Sequence, residues 1–140
     1  PGRWKVEPSK PNNPREFQTL EKVTVAEKLS TFTEKWVPKI VGKVNNFAVK
    51  VVKFTGEYNW HHHDDEDEMF WVVKGKFTIK LRDKDIELNE GEFFIVPKGV
   101  EHKPVADEEC HVVLFERDTT INTGNTRNER TILAQDLDKI

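Results

Sequence analysis

Three histidines and a run of carboxylates stand at spacings that suit one metal ion. The first stretch reads Gly56-Glu-Tyr-Asn-Trp-His61-His62-His63-Asp-Asp-Glu-Asp-Glu68 and continues through an apolar run to Gly75. The second reads Gly91-Glu-Phe-Phe-Ile-Val-Pro97-Lys-Gly99-Val-Glu-His102. Neutral imidazoles with a carboxylate suit Fe(II), Mn(II), Ni(II), Co(II) or Zn(II), and ligand type alone does not choose among them. His61, His63, Glu68 and His102 are the candidate ligands. Four protein donors would leave two positions of an octahedral ion for substrate, water or dioxygen. No nucleophile or acid–base dyad stands out elsewhere, so an ion would carry the chemistry. Tyr58 and Lys50 are the remaining candidates for an acid, a base or an anion anchor.

Local structure decides which of these groups can converge. Residues two apart in a strand share a face, so His61 and His63 project together and His62 points away. Glu68 lies five positions beyond His63, an odd spacing that a straight strand would send to the opposite face. Asp64–Asp67 must therefore turn or bulge, and Glu68 then opens a new strand facing inward. Glu66, three positions beyond His63, is the competing carboxylate. From Glu68, alternation places Phe70 and Val72 inward and Met69, Trp71 and Val73 outward. Pro97-Lys98-Gly99 makes a tight turn that returns the chain with His102 at the head of a strand. The aromatic residues Tyr58, Trp60, Phe70 and Trp71 crowd the first stretch, as core, contact or pocket-lining groups.

The rest of the chain supplies the frame. Beyond Ile40, short β-rich runs at Met69–Val73, Phe77–Leu81, Asp85–Leu88, Phe93–Val96 and His111–Phe115 alternate with turn signals, which predicts an all-β sandwich or barrel. Four of the seven prolines fall in residues 1–15, an extended or disordered arm. Residues 16–39 are expected to pack on the barrel. Within them Thr24–Ser30 reads as a short helix, with Thr24 and Glu27 in capping-box spacing and Val25, Ala26 and Leu29 on its buried face. Residues 40–116 form the barrel, and 117–140 a surface loop with a short closing helix at Ile132–Leu137. Trp4 and Trp36 lie outside the two stretches and are candidates for anchoring arms to the barrel or to a second subunit.

Composition narrows the partners. The 140 residues carry a net charge of −3, with 36% hydrophobic and 34% charged residues. That fits one solvated domain with a real core, and there is no basic footprint for nucleic acid. No apolar run reaches membrane-spanning length. Pro1–Trp4 contain no apolar leader core, and proline at position 1 points to a start further upstream. The single cysteine, Cys110, excludes an internal disulfide, favours a reducing cytoplasmic setting, and reads as a small buried hydrophobe. His111 alternates with Val113 and Phe115 and reads as a packed or interface histidine.

The two stretches together resemble the motifs of a small single-domain cupin, of the RmlC-like jelly-roll superfamily. Gly56, His61, His63, Glu68 and Gly75 match the first motif, with the gap from Gly56 to His61 one residue short of the usual pattern. Gly91, Pro97, Gly99 and His102 match the second, with Ala106 where asparagine is usual. The spacing to Gly75 favours Glu68 over Glu66. The resemblance implies a double-stranded β-helix (jelly-roll barrel), commonly dimeric, with a metal inside. It fixes fold and site better than reaction, since cupins include dioxygenases, decarboxylases, isomerases, lyases and non-enzymatic binders. The expectation is a metal-binding cupin that acts on or binds a small organic metabolite. The alternatives are a non-catalytic small-molecule or sugar binder and a metal-free sugar isomerase or epimerase.

Overall fold

The computed structural model describes residues 20–140. The proline-rich arm and Trp4 lie outside the described residues. Seven strands form one antiparallel network: β1 (Lys39–Val44), β2 (Phe47–Glu57), β3 (Glu68–Lys74), β4 (Phe77–Leu81), β5 (Asp85–Leu88), β6 (Phe93–Val96) and β7 (His102–Arg117). Their order is β1-β2-β7-β3-β6, with β4 joined to both β7 and β5. The expected all-β jelly roll is what forms.

The long strand β7 closes the structure. Its C-terminal half lies between β2 and β3, with Val112 opposite both Val52 and Val72. Its N-terminal half pairs with β4, from Val105 opposite Thr78 to His102 opposite Leu81. Between these halves the register with β2 slips after Phe54, and exposed Asp107–Glu109 mark the bend. A bulge of this kind lets one strand serve two layers.

The two layers enclose the core. Phe54 is its aromatic hub, stacked on Trp36 at 4.4 Å and edge-on to Phe77 at 5.1 Å. Val52, Phe70, Val72, Ile79, Val112 and Leu114 complete the same apolar cluster. Along β3 the alternation is as expected: Phe70 and Val72 are buried, Trp71 and Val73 exposed.

A second cluster lies outside the sheet, where α1 (Val25–Leu29) sets Leu29 against Phe32, Val41 and Val51. Five residues are too few for a helix to hold itself, so this packing sustains it. The expected capping box is not made. Thr24 occupies the N-cap, but its hydroxyl makes no capping bond, and Ala26 is exposed rather than buried. After β7 the chain runs through turns to a 3₁₀ turn at Ala134–Asp136, shorter than the helix expected there.

Phe54→Ala should lower unfolding free energy by about 3–5 kcal/mol, because it removes the ring that Trp36, Phe70 and Phe77 share. Urea denaturation monitored by tryptophan fluorescence measures this.

Candidate metal centre

The segment after β2, the head of β3 and the head of β7 bring the donors together. The backbone N–H of His61 donates to the carbonyl of His102 at 3.0 Å, and that of His102 donates back at 2.9 Å. This antiparallel pair places the two imidazoles side by side, ring centroids 4.2 Å apart. The Gly99 N–H holds the carbonyl of His63 at 2.7 Å, and the Lys98 N–H holds the Asp67 carboxylate at 2.9 Å. The turn at residues 97–99 thus shapes the acidic segment so that Glu68 opens β3 facing inward. His61, His63, Glu68 and His102 are all buried, and one donor atom from each lies within 4.8 Å of the others.

Hydrogen bonds behind the rings fix which nitrogen faces the cluster. Nδ1 of His61 donates to the carbonyl of Asn59, and Nδ1 of His102 to that of Val100, both at 2.9 Å. A carbonyl only accepts, so these Nδ1 atoms carry the protons and each Nε2 presents a lone pair. Glu68 Oε1 lies 3.2 Å from His63 Nε2 and 3.3 Å from His102 Nε2 without a well-directed hydrogen bond. All three atoms are buried without a hydrogen-bond partner. Leaving buried polar atoms unmatched is costly. A bound cation satisfies all of them at once, so the donor set fits a divalent transition ion.

The electrostatics agree. Burial, aided by the neighbouring His102, pushes His61 down to about 4, so it stays neutral at ordinary pH. Burial opposes protonation of His63 as well, but the charge and close approach of Glu68, with the charges of Glu116 and Glu66, together outweigh it and raise this histidine. Glu68 is held well below the usual carboxylate range. Burial works against ionisation there, and His63 and His102 overcome it.

A second buried carboxylate lies next to Glu68. Glu116, on β7, is the cross-strand partner of Glu68 and accepts a 2.6 Å bond from Lys50. Both members of this ion pair are 2% exposed. Burial drives Glu116 up to about 8, with Lys50 opposing and Glu68 adding to the rise. Lys50 does point inward, and its ammonium is committed to Glu116. The sequence reading missed Glu116, although Val112, Leu114 and Glu116 share the inward parity of one strand.

It also missed a clamp on the histidine segment. Asn125 grips His62 from both sides: its N–H donates to the His62 carbonyl at 2.9 Å, and its side chain accepts from the His62 N–H at 2.8 Å. Gly124 passes so close that a Cβ there would lie 2.2 Å from the same carbonyl, and its φ of +58° also favours glycine. The remaining polar groups of the segment stay outside. His62 turns outward to Asp64, Glu66 accepts from Thr119, and His111 bonds Glu109.

Beside the cluster is a cavity of about 30 Å³, lined by Trp36, Tyr58, His61, Glu68, Phe70 and Glu116 among others. That is room for roughly two or three water-sized groups. Tyr58 packs edge-on to His61 and stacks on Trp36. Its hydroxyl is buried without a partner, and burial followed by the charge of Glu68 raises its pKa. Trp36 reaches this chamber from the segment before β1, with φ at +65°, an uncommon conformation for a bulky residue. Its backbone N–H donates to the Lys53 carbonyl at 2.8 Å and its indole N–H to the Thr55 carbonyl at 2.9 Å, which holds it there.

An antiparallel jelly roll with three imidazoles and a carboxylate inside defines a class of small barrels built to hold an ion. Comparison with known proteins gives the family. The cupin-domain model matches residues 49–116. A cupin-2 domain protein of Shewanella frigidimarina is 42% identical, with a TM-score of 0.67 over 68% of this chain and 93% of its own. The chain belongs to the cupin family. YdbB of Bacillus subtilis is 41% identical over 64 residues, 45% of this chain and 57% of YdbB. The 3-hydroxyanthranilate 3,4-dioxygenase of Xenopus laevis is 26% identical over 102 residues, 68% of this chain and 36% of that enzyme. The chain thus spans between about a third and just over half of these two curated relatives.

Metal analysis tests the cluster and its clamp together. The purified protein should retain about one divalent ion per chain, and His102→Ala only a small fraction of that. Gly124→Ala should weaken metal affinity by about 10- to 100-fold, since it displaces the support of the ligand segment rather than a ligand. Elemental analysis and competition with a chelator provide the readouts.

Proposed function

We propose that this protein is a metal-dependent cupin acting on a small, oxygen-bearing organic molecule, with His61, His63, Glu68 and His102 as the ligands. The observation that carries this reading is the convergence of three partnerless buried atoms, on His63, Glu68 and His102. When bound, a divalent ion would supply Lewis acidity and, as iron, access to dioxygen chemistry. The chain's own residues do the rest. The carbonyls of Asn59 and Val100 hold two imidazoles in the ligating tautomer. Trp36, Phe54 and Phe70 form an apolar ring wall of the chamber. Among cupin reactions a dioxygenase is favoured, on the similarity to 3-hydroxyanthranilate 3,4-dioxygenase.

Reconstitution with Fe(II), Mn(II), Ni(II), Co(II) and Zn(II), followed by oxygen-uptake measurement across a metabolite panel, tests this. Turnover with one metal and its loss in the His61→Ala/His63→Ala double variant are expected. Activity that survives this double variant would instead indicate a metal-free isomerase or epimerase. Ligand-induced thermal stabilisation that persists under chelator, without turnover with any metal, would indicate a simple binder.

The reading extends to assembly. Trp71, Val73, Phe93 and Ile95 form an exposed apolar face on β3 and β6, with Trp71 and Phe93 paired across the strands. Contiguous apolar patches of this kind are rare on monomers, and a second copy of the chain, covering the same face in a homodimer, is the occupant proposed. Light scattering should give a dimer for the parent and a monomer for Trp71→Lys/Phe93→Lys. No helix among the described residues is long and apolar enough to cross a membrane. Cys110 is buried and its thiol is pushed up to about 12 by that burial, consistent with a reducing, cytoplasmic setting in which it stays an inert thiol.

A further inference from the structure

The tyrosine hydroxyl next to the cluster has no structural use. Tyr58 is only 7% exposed, so its O–H has been taken from water, yet no protein group meets it. Native structures rarely leave such an atom unmatched without a ligand or solvent to match it. The ring is rigidly held by Trp36 at 4.8 Å and by the edge of His61 at 5.5 Å. It lines the same cavity as His61, Glu68 and Glu116, so a molecule there lies between the hydroxyl and the cluster.

Charge indicates what that molecule is. The buried charged groups lining the cavity are Glu68 and Glu116, and Lys50 is paired with Glu116 behind it. A divalent ion added to them leaves a positive excess, whether or not Glu116 is ionised. The Arg130 guanidinium adds to it, 5.1 Å from the centre of the Tyr58 ring and 5.7 Å from that of Trp36. A neutral phenol donates one hydrogen bond. A positive excess, one fixed donor and room for two or three water-sized groups match a compact anion rich in oxygen.

We propose that Tyr58 is a ligand-binding residue whose hydroxyl donates to an oxygen of a small carboxylate anion, of the hydroxycarboxylate or dicarboxylate class, seated against the metal cluster. This deepens the metal-dependent reading above and rests on it. It assigns the position of the anion to Tyr58 and leaves to Lys50 the neutralisation of Glu116.

The test uses the full chain loaded with Zn(II), which has no redox chemistry of its own. Glycolate is the anionic probe and ethylene glycol its neutral counterpart, titrated calorimetrically into the parent and into Tyr58→Phe. This variant keeps the ring and its stacking and removes only the hydroxyl. The expected result is equal zinc content, an unchanged or higher melting temperature without ligand, and glycolate affinity weaker by about tenfold or more. Unchanged glycolate affinity in Tyr58→Phe overturns the proposal. So does a parent that binds ethylene glycol as tightly as glycolate, or shows no glycolate binding at about 10 mM. A melting temperature lowered by more than a few degrees also overturns it, since the hydroxyl would then be structural. A parent that takes up no zinc overturns the metal reading and this inference with it. That failure is seen in the zinc content, before any probe is added.

Discussion

Two reciprocal backbone hydrogen bonds, between His61 and His102, hold the rest of this molecule's chemistry in place. They join the segment after β2 to the head of β7. Antiparallel pairing sets opposed side chains on one face, and a slip of one residue would send an imidazole to the other side. The neighbouring contacts guard that register. Gly99 holds the carbonyl of His63, and Asn125 holds both backbone groups of His62. Each histidine of the run is therefore fixed through its main chain, and the side chains inherit their directions.

The interior so formed is polar in a way that a barrel core ordinarily resists. Two buried carboxylates stand opposite one another on adjacent strands, with one buried ammonium bonded to Glu116. Burying such charges is costly unless each finds an opposite partner. Lys50 answers Glu116, and the histidines answer Glu68. The remaining mismatch, three buried polar atoms without partners on His63, Glu68 and His102, is confined to the place where a cation fits. The apolar cluster of Phe54, Phe70 and Phe77 packs beside this polar knot, with Phe70 edge-on to His102 at 6.0 Å.

Much of this was legible from the amino-acid order, because strands and turns announce themselves locally. The bounds of β4, β5 and β6 follow from their alternation and from the turn residues between them. Strand parity separated His62 from its neighbours and required the bend across the acidic run. What stayed hidden depends on pairing between distant strands. Glu116 looked like the polar end of a strand, yet it sits on the inward parity of Val112 and Leu114. Lys50, between Ala48 and Val52 on one face, was the complementary signal that a buried carboxylate must exist. The clamp at Gly124 and Asn125 lies in a polar stretch whose fold is set by what it touches. The capping box failed for the opposite reason: Thr24 and Glu27 had the local pattern, but packing of Leu29, with Val25 beside it, sustains that helix.

Trp36 sits with its backbone in an uncommon conformation, reaching into the chamber from a segment that precedes the first strand. The family match covers residues 49–116, which include the cluster residues and Tyr58 but neither Trp36, Asn122 nor Arg130. Two of these three line the chamber, and the third lies over its rings. Most of the chamber lining lies within the matched region, and Trp36, Pro38 and Asn122 add to it from outside. A shared core can keep its chemistry while the flanks diverge, so relatives alike in the barrel need not share a substrate. Trp36 and Asn122 are chamber residues on which a match to the common domain is silent.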